Sequence, residues 1–406
     1  MSLQEIRNQF PILDSQVYGK PLVYLDNAAT AQRPLSVTAA WNKLVAQENA
    51  NIHRAVHRLA SLATSAYEDT RDQVASFLHA ASREEIVFTS GATAAVNLVA
   101  FSFGEAFVSE GDEIIVSAAE HHSNIVPWQM LCGRKKAVLK VLDIDKNGTL
   151  LPEELEKCIS KRTKIIAISH ISNVLGLVNP VQELVATAHK FGVPVLVDGA
   201  QGIVHEPVNV QQLGCDFYVF SGHKIYAATG TGVLYGKKKW LEAMPPYMGG
   251  GEMIETVKFS GTTYAPLPEK FEAGTQNFNA VPTLVPALSL ATEMRNNPEV
   301  QAEQQAIFDC VYEKLTQDPR IRLYGVLRRT KVPLFSFAVE GAHHEDLALI
   351  MDKMGIALRS GQMCAEPLMD RLGVTGLLRA SFAPYNTLEE AEYFVKCLDK
   401  AITMLV

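Results

Sequence analysis

An α/β fold is what this sequence predicts: a mostly parallel sheet covered by helices, followed by a smaller α+β unit. Three observations carry that expectation. Short β-branched runs alternate with helix-like segments through the first two-thirds of the chain. Those runs are apolar throughout rather than alternately apolar and polar, so both faces of their sheet must be covered. After about residue 285 the texture changes to long helical stretches with a few strands. With 406 residues, the chain also exceeds the roughly 250–300 at which single cores stop growing, so more than one domain is expected. The expected division is an N-terminal segment, 1–20, packing with the small domain, then a large domain, 21–285, and a small C-terminal domain, 286–406.

Taken in order, the strand candidates of the large domain are "EEIVFTS", "DEIIVSAAE", "KIIAISHIS", "VPVLVDGAQ", "CDFYVFSGH" and "GTGVLYG". Periodic apolar stretches such as "AVNLVAFSFGEAFVS" and "VQELVATAHKFG" read as the helices between them. In the C-terminal part, "VPALSLATEMRNN" and "QAEQQAIFDCVYEKLTQ" read as long helices, "VPLFSFAVE" and "LLRASFAPY" as strands, and the end of the chain as an amphipathic helix. A net charge of −7 argues against a nucleic-acid footprint, and no polybasic patch marks a membrane surface. No stretch approaches the roughly 18 apolar residues of a spanning helix. The opening "MSLQEIRNQF" has no apolar run, so no signal peptide is expected. The six cysteines, at 132, 158, 215, 310, 364 and 397, show no CxxC spacing. Neither a zinc site nor a disulfide framework is therefore expected, and a reducing, cytoplasmic setting fits.

"DIDKNGTLLPEE", 143–154, imitates a calcium loop, with Asp143, Asp145 and Asn147 at positions 1, 3 and 5, Gly148 at 6 and Glu154 at 12. A helix should enter such a loop, but "AVLKVL" before it alternates like a strand, and Pro152 falls inside. The expected structure is strand, Asn-Gly turn, and a helix starting near Thr149. The paired histidines of "AHHEDL" read as a polar helix start, not a metal site, because neighbours in sequence do not converge on one ion.

The informative residues sit where strands end, which is where open parallel sheets bind ligands. One strand ends in Asp198 with Gln201 following, another in Ser221, His223 and Lys224. "EEIVFTS" runs into the small-residue turn "GATAAVN", "DEIIVSAAEHHSN" ends in His121 and a second histidine, and "KIIAISHISN" ends in Asn173. A helix N-terminus at Ala92 and Thr93 offers free N–H groups to a phosphate, with Ser221 and His223 as further donors. A carboxylate such as Asp198 keeps a pyridinium nitrogen protonated, so that the ring can act as an electron sink. A lysine such as Lys224 can form a Schiff base with an aldehyde, and a histidine such as His121 can stack on the ring and move protons. Together these meet the requirements of pyridoxal 5'-phosphate.

"DGAQ" followed after a strand by "SGHK", with "EHHSNIVPW", "FEAGT" and "RSGQMCAEPL", closely resembles group II (Suf/Csd-type) cysteine desulfurases, pyridoxal-phosphate enzymes of the class V aminotransferase-like family. The resemblance runs from "VYLDNAAT" to "LRASFAPYNT", nearly the whole chain. It implies the type I, aspartate-aminotransferase-like fold. It also implies that Lys224 carries the cofactor, Asp198 partners the pyridinium nitrogen, and Gln201 and Asn173 bond the phenolic oxygen and substrate region. By the same resemblance His121 stacks on the ring, and Thr93, Ser221 and His223 match phosphate ligands, beside the Ala92 N–H already placed there by the helix start. Thr275 of "FEAGT" matches a phosphate ligand supplied by the second subunit, which implies a homodimer. Arg379 matches the clamp on the substrate carboxylate, and Arg359 and His53 match positions near the mouth of the site.

The implied reaction turns L-cysteine into L-alanine, leaving a persulfide on Cys364, in the small domain. The resemblance further implies a SufE/CsdE-like acceptor protein that takes the sulfur on to iron–sulfur cluster assembly. Arg359 and a histidine across the cleft are expected to favour the Cys364 thiolate. Met363 stands where the family commonly has histidine, and Glu366 where it often has glutamine; Ala227-Ala228 replaces a usual Gly-Pro, and Gln276 a usual proline. The rival activities on the same fold are selenocysteine lyase, acting on L-selenocysteine, and cysteine-sulfinate desulfinase. Readings from other classes are a calcium-binding protein, and a non-catalytic scaffold, which would have lost the lysine, the Asp or the cysteine.

Overall fold

A computed structural model describes all residues, 1–406. The central sheet has seven strands: β1 (Ile86–Thr89), β2 (Glu113–Ser117), β3 (Val138–Leu142), β4 (Thr163–Ser169), β5 (Val195–Asp198), β6 (Phe217–Ser221) and β7 (Gly232–Gly236). Their order is β1-β7-β6-β5-β4-β2-β3. All share one direction except β7, which runs against both neighbours. The continuous apolar runs have the expected cause. In β6, Tyr218 and Phe220 enter the core on one face while Phe217 and Val219 enter the core on the other, and Ile166 and Ile168 against Ile165 and Ala167 do the same in β4. Successive side chains point to opposite faces, so a sheet buried twice must be apolar at every position. The helices α1 (Arg58–Leu78), α2 (Ala92–Phe107) and α3 (Val181–Lys190) supply part of that cover.

Beyond α4 (Leu284–Asn296) and α5 (Pro298–Gln317) lies a second sheet. An exposed hairpin, β8 (Ile254–Lys258) and β9 (Gly261–Tyr264), precedes those helices. The second sheet comprises β10 (Ile321–Tyr324), β11 (Leu334–Val339), β12 (Arg359–Gly361) and β13 (Leu377–Ser381), antiparallel in the order β10-β11-β13-β12. Between β12 and β13 stands a short helix, α6 (Glu366–Leu372), and the chain ends in α7 (Leu388–Leu405). A capping box between Thr387 and Glu390 starts α7, and its Phe394 and Leu398 share a core with Phe335, Phe337 and Leu378 of the sheet. The N-terminal segment touches both units. Ile6, Phe10 and Leu13 enter the main core, Arg7 donates to the Tyr385 carbonyl at 2.8 Å, and Val23–Tyr24 pairs in parallel with Ile356–Ala357. No helix is long and apolar enough to cross a membrane.

The calcium-like stretch is strand, turn and helix. Asp145 Oδ1 accepts from the N–H groups of Asn147 and Thr149 at 2.9 and 2.8 Å, and Asp143 holds Arg371 of α6 at 2.9 and 3.1 Å. The helix starts later than Thr149, at Pro152, because proline fits the first helical position, where its missing N–H costs nothing. In "AHHEDL", His343 is the N-cap of a helix over His344–Lys353, its ring accepting from the N–H of Glu345 at 3.3 Å.

One buried ion pair anchors the edge of the main sheet. Arg71 of α1 meets Glu272 through two parallel bonds of 2.7 and 2.9 Å. Glu272 also accepts from Tyr67 Oη at 2.9 Å and from the Phe88 N–H of β1 at 2.7 Å. Both charged side chains are sealed from solvent. Removing Glu272 leaves the sealed Arg71 with only the part-buried Glu68, 3.1 Å away, as counter-charge, so Glu272→Ala is expected to cost up to about 3–5 kcal/mol. The measurement is the urea midpoint at constant m; an unchanged midpoint would show that the pair carries no such strain on removal.

Candidate active site

Because β1, β2, β4, β5 and β6 share a direction, their carboxyl ends open along one edge, and a cavity of about 520 Å³ lies there. From the sheet come Ala92 and Thr93, His121, Asn173, Asp198 and Gln201, then Ser221, His223 and Lys224. The opposite wall is Arg359, Arg379 and the loop 362–364 with Cys364. Two further residues do not line the cavity of their own chain, and of these Thr275 is the one expected to serve the second subunit's site. His53 does not line the cavity: its Nε2 lies 3.0 Å from Glu68 and its Nδ1 3.8 Å from Glu252, and the bond to Glu68 raises its pKa. That carboxylate cluster, not the site, sets its position. Thr275 lies with Ser90 and Asn277 in a separate hollow.

The phosphate end is built by close approach. A Cβ on Gly232 would stand 2.3 Å from the backbone of Gly91, and Gly91 itself has φ +153°, so glycine is required at both places. This lets Ser221 Oγ accept the Ala92 N–H at 2.8 Å. Ala92's donor is therefore occupied, and Ala95 N–H bonds back to Gly91. The N–H groups of Thr93 and Ala94 are the ones the helix leaves over for an anion.

Asp198 is buried, and burial raises its pKa while Lys224 opposes the rise. Its Oδ1 accepts from the Ala200 N–H at 2.9 Å, and Oδ2 accepts no hydrogen bond, the position a protonated ring nitrogen would fill. Lys224 is partly buried and has no ion-pair partner; burial lowers its pKa, against Asp198, which raises it. His121 is pushed down to about 4, by burial first and Lys224 second. Its Nδ1 accepts the Ser123 N–H at 3.1 Å, so the neutral ring carries its proton on Nε2. His223 is likewise lowered to about 4 by burial and Lys224, with Nδ1 3.2 Å from Thr30 Oγ1. Gln201 spends one amide hydrogen on the Ala28 carbonyl at 2.8 Å. An anion-ready helix end, a free buried carboxylate oxygen and an unpaired amine fit pyridoxal phosphate at its phosphate, ring nitrogen and aldehyde in turn.

Several residues at the site carry no signal in the sequence. Asp26 binds both arginines, Arg359 at 2.9 Å and Arg379 at 3.2 Å. Arg359 therefore faces a carboxylate, and its expected support of a Cys364 thiolate is not what the geometry displays. Arg379 also donates Nη1 to the Asn173 carbonyl at 2.8 Å, and its Nε is buried with no partner. Glu120 is buried under the His121 turn, where burial raises it to about 7. It accepts from the Ser169 N–H at 2.8 Å and from Asn124 Nδ2 at 2.7 Å.

The Cys364 loop is strained and clamped. Met363 and Cys364 have φ of +50° and +53°, at about 1–3 kcal/mol each for non-glycine residues. His122 N–H donates to the Cys364 carbonyl at 2.7 Å, and Glu366 N–H donates to His122 Nε2 at 3.0 Å. Asn173 spends its Nδ2 on the Met363 carbonyl at 2.9 Å, leaving its Oδ1 for the site. Met363 is buried in the main core, and Cys364 alone among the six cysteines is exposed.

A buried histidine beneath this edge makes a pH prediction. Burial holds His170 at about 4, against about 6.5 unfolded, and its Nδ1 lies 3.1 Å from Tyr218 Oη. Between those values the unfolded chain binds the extra proton, so His170 contributes less to stability as the pH falls. The stability difference between wild type and His170→Gln, from urea unfolding at pH 7 and pH 5, is expected to shift against wild type at the lower pH. A difference independent of pH would contradict the neutral state.

Comparison with known proteins agrees with this geometry. Residues 23–394 match the family described as aminotransferase class-V. The chain is 45% identical over 400 residues to a probable cysteine desulfurase of Halalkalibacterium halodurans, covering 98% of each. It is 45% identical over 405 residues to another from Vibrio cholerae, covering 100% of both. Among solved structures it is similar to the cysteine desulfurase CsdA (S-sulfonic acid) of Escherichia coli, with a TM-score of 0.91, 39% identity and 100% of both chains covered. It is also similar to the apo cysteine desulfurase of Thermococcus onnurineus, with a TM-score of 0.92, 35% identity and coverage of 100% and 99%. The chain belongs to the aminotransferase class-V family, among the pyridoxal-phosphate-dependent enzymes that include the cysteine desulfurases.

Proposed function

We infer that this chain is a cysteine desulfurase, which converts L-cysteine to L-alanine and leaves the sulfur on Cys364. The observation that carries the reading is the single cavity that joins Lys224, Asp198, His121 and Arg379 to the one exposed cysteine. When bound, pyridoxal phosphate supplies an electron sink that lets the substrate lose its Cα proton and its Cβ–S bond. Lys224 and Asp198 would hold it at aldehyde and ring nitrogen, and Thr93, Ser221 and His223 at the phosphate.

The protein's own groups do the rest. Arg379, which lines the cavity, orients the substrate carboxylate, while Asp26 cancels one of the two arginine charges. Lys224 Nζ, depressed by burial, takes and returns a proton at Cα. His121, neutral with its proton on Nε2, lines the same cavity, where it would cover the cofactor ring and relay a proton. Cys364 Sγ, as thiolate, takes the substrate sulfur: the Cβ–S bond breaks, an S–S bond forms, and Cβ gains a proton to become the alanine methyl. One cysteine and one thiol give one alanine and one persulfide, so the step balances with no outside oxidant. We also propose that a homodimer completes the site with Thr275 and that the persulfide passes to a SufE-like acceptor protein. The hairpin β8–β9, whose tip Phe259 is fully exposed, and the outward position of Cys364 support those two readings.

The test is holoenzyme with L-cysteine and no reductant: alanine should appear in one equivalent, with one added sulfur on the Cys364 peptide by mass spectrometry. Alanine without a modified Cys364 would overturn the assignment.

A further inference from the structure

A second cavity, of about 750 Å³, lies between α4, α5 and the segment leading into β11. Its wall includes Tyr226, two residues beyond Lys224, in a left-handed conformation with φ +70°. The charge there is one-sided. Arg295, Arg328, Arg329 and Lys331 line it, and no Asp or Glu does. Arg328 pairs with Asp309 outside, and Glu206 acts on Arg295 only at a distance.

Lys331 is 8% exposed, with only the carbonyls of Leu175, at 2.5 Å, and Tyr324, at 3.5 Å, as acceptors. Arg295 donates Nη2 to the Ile203 carbonyl at 2.9 Å, but its Nε is buried with no partner. A buried cation without counter-charge and a buried orphan N–H are both costly unless a ligand answers them. The neighbours of these cations are aromatic faces. Arg328 sits 5.3 Å from the ring of Tyr312, and Lys331 5.5 Å from that of Phe335. Such contacts support a cation without cancelling its charge. Burial brings Lys331 down to about 7, and an oxyanion beside it would hold it charged.

We propose that this cavity is a second ligand site, one that takes a small, multiply charged oxyanion through Arg295, Arg329 and Lys331. The shared chemistry is clustered anionic oxygens, whether of a phosphate compound or of a polycarboxylate. An occupant would press on Tyr226, and so on the turn that carries Lys224.

The experiment uses holoenzyme, so that the cofactor's own phosphate fills the first site. Pyrophosphate and citrate are titrated by calorimetry at matched ionic strength. At least one should bind one per chain with a Kd below about 1 mM. Arg329→Gln, at an exposed position, should weaken binding about tenfold while leaving cysteine turnover without added anion unchanged. Lys331→Met should weaken binding as much; if it does not fold, Arg329→Gln decides alone. Binding of pyrophosphate only, or of citrate only, identifies the source. Absence of binding by both, or affinity untouched in Arg329→Gln, overturns the proposal.

Discussion

Lys224→Ala is expected to cut cysteine turnover by at least about 10²–10⁴-fold, the scale of losing a positioned proton-transfer group. Lys224 is the only lysine that lines the cavity, so no second amine stands ready to bond the cofactor's aldehyde or serve Cα. A readout in the cofactor-free protein separates this role from simple damage. Lys224 is the largest influence after burial in lowering both His121 and His223. Removing a like charge raises a histidine, so both rings should titrate higher in Lys224→Ala, as seen in their NMR shifts against pH. Lys224→Arg should keep those titrations low, because the charge stays, and yet be inactive, because guanidinium neither deprotonates nor adds to an aldehyde at neutral pH. Wild-type turnover in either variant would remove Lys224 from the mechanism.

What the sequence reveals of this site is what lies close along the chain. A strand that ends in Asp198 or Ser221 announces both its burial and the edge where it stops. The strands, the helix opening at Ala92 and the residues after each strand were therefore legible. Asp26 was not, because it meets Arg379 across 353 positions, and nothing in "VYLDNAAT" marks a carboxylate that will neutralise an arginine. Glu120 and His122 flank the histidine that the pattern does single out, and their work appears only once the turn is folded: Glu120 pins it from below, and His122 holds the Cys364 loop. Glu272 stands inside a quoted motif, but its partner Arg71 is 201 positions away. His53 shows the converse failure. The family resemblance alone set it near the mouth of the site, and in this chain Glu68 and Glu252 hold it. Charge balance across the fold decides such positions, and charge balance is not local.

The same contrast between local and assembled information bears on Cys364. Cys364→Ser should lower persulfide formation from L-cysteine by at least about 10²-fold, since serine cannot act as the thiolate that receives sulfur. Serine is close in size, and the clamps on the loop are backbone carbonyls held by His122 and Asn173, so the loop should keep its place and the variant its thermal midpoint. The two left-handed residues make that geometry worth defending: a loop that costs about 1–3 kcal/mol per strained residue is held against the large sheet by three hydrogen bonds, two to the Met363 and Cys364 carbonyls and one from the Glu366 N–H to His122. The substrate then tells a nucleophile from a bystander. Sulfur in cysteine has to be taken by something, whereas a sulfinate group can depart without a thiol to receive it. Cys364→Ser should therefore lose far more activity with L-cysteine than with cysteine sulfinate, measured as alanine formed from each. Equal losses on both substrates would mean that the cysteine serves the shape of the pocket and not the transfer of sulfur.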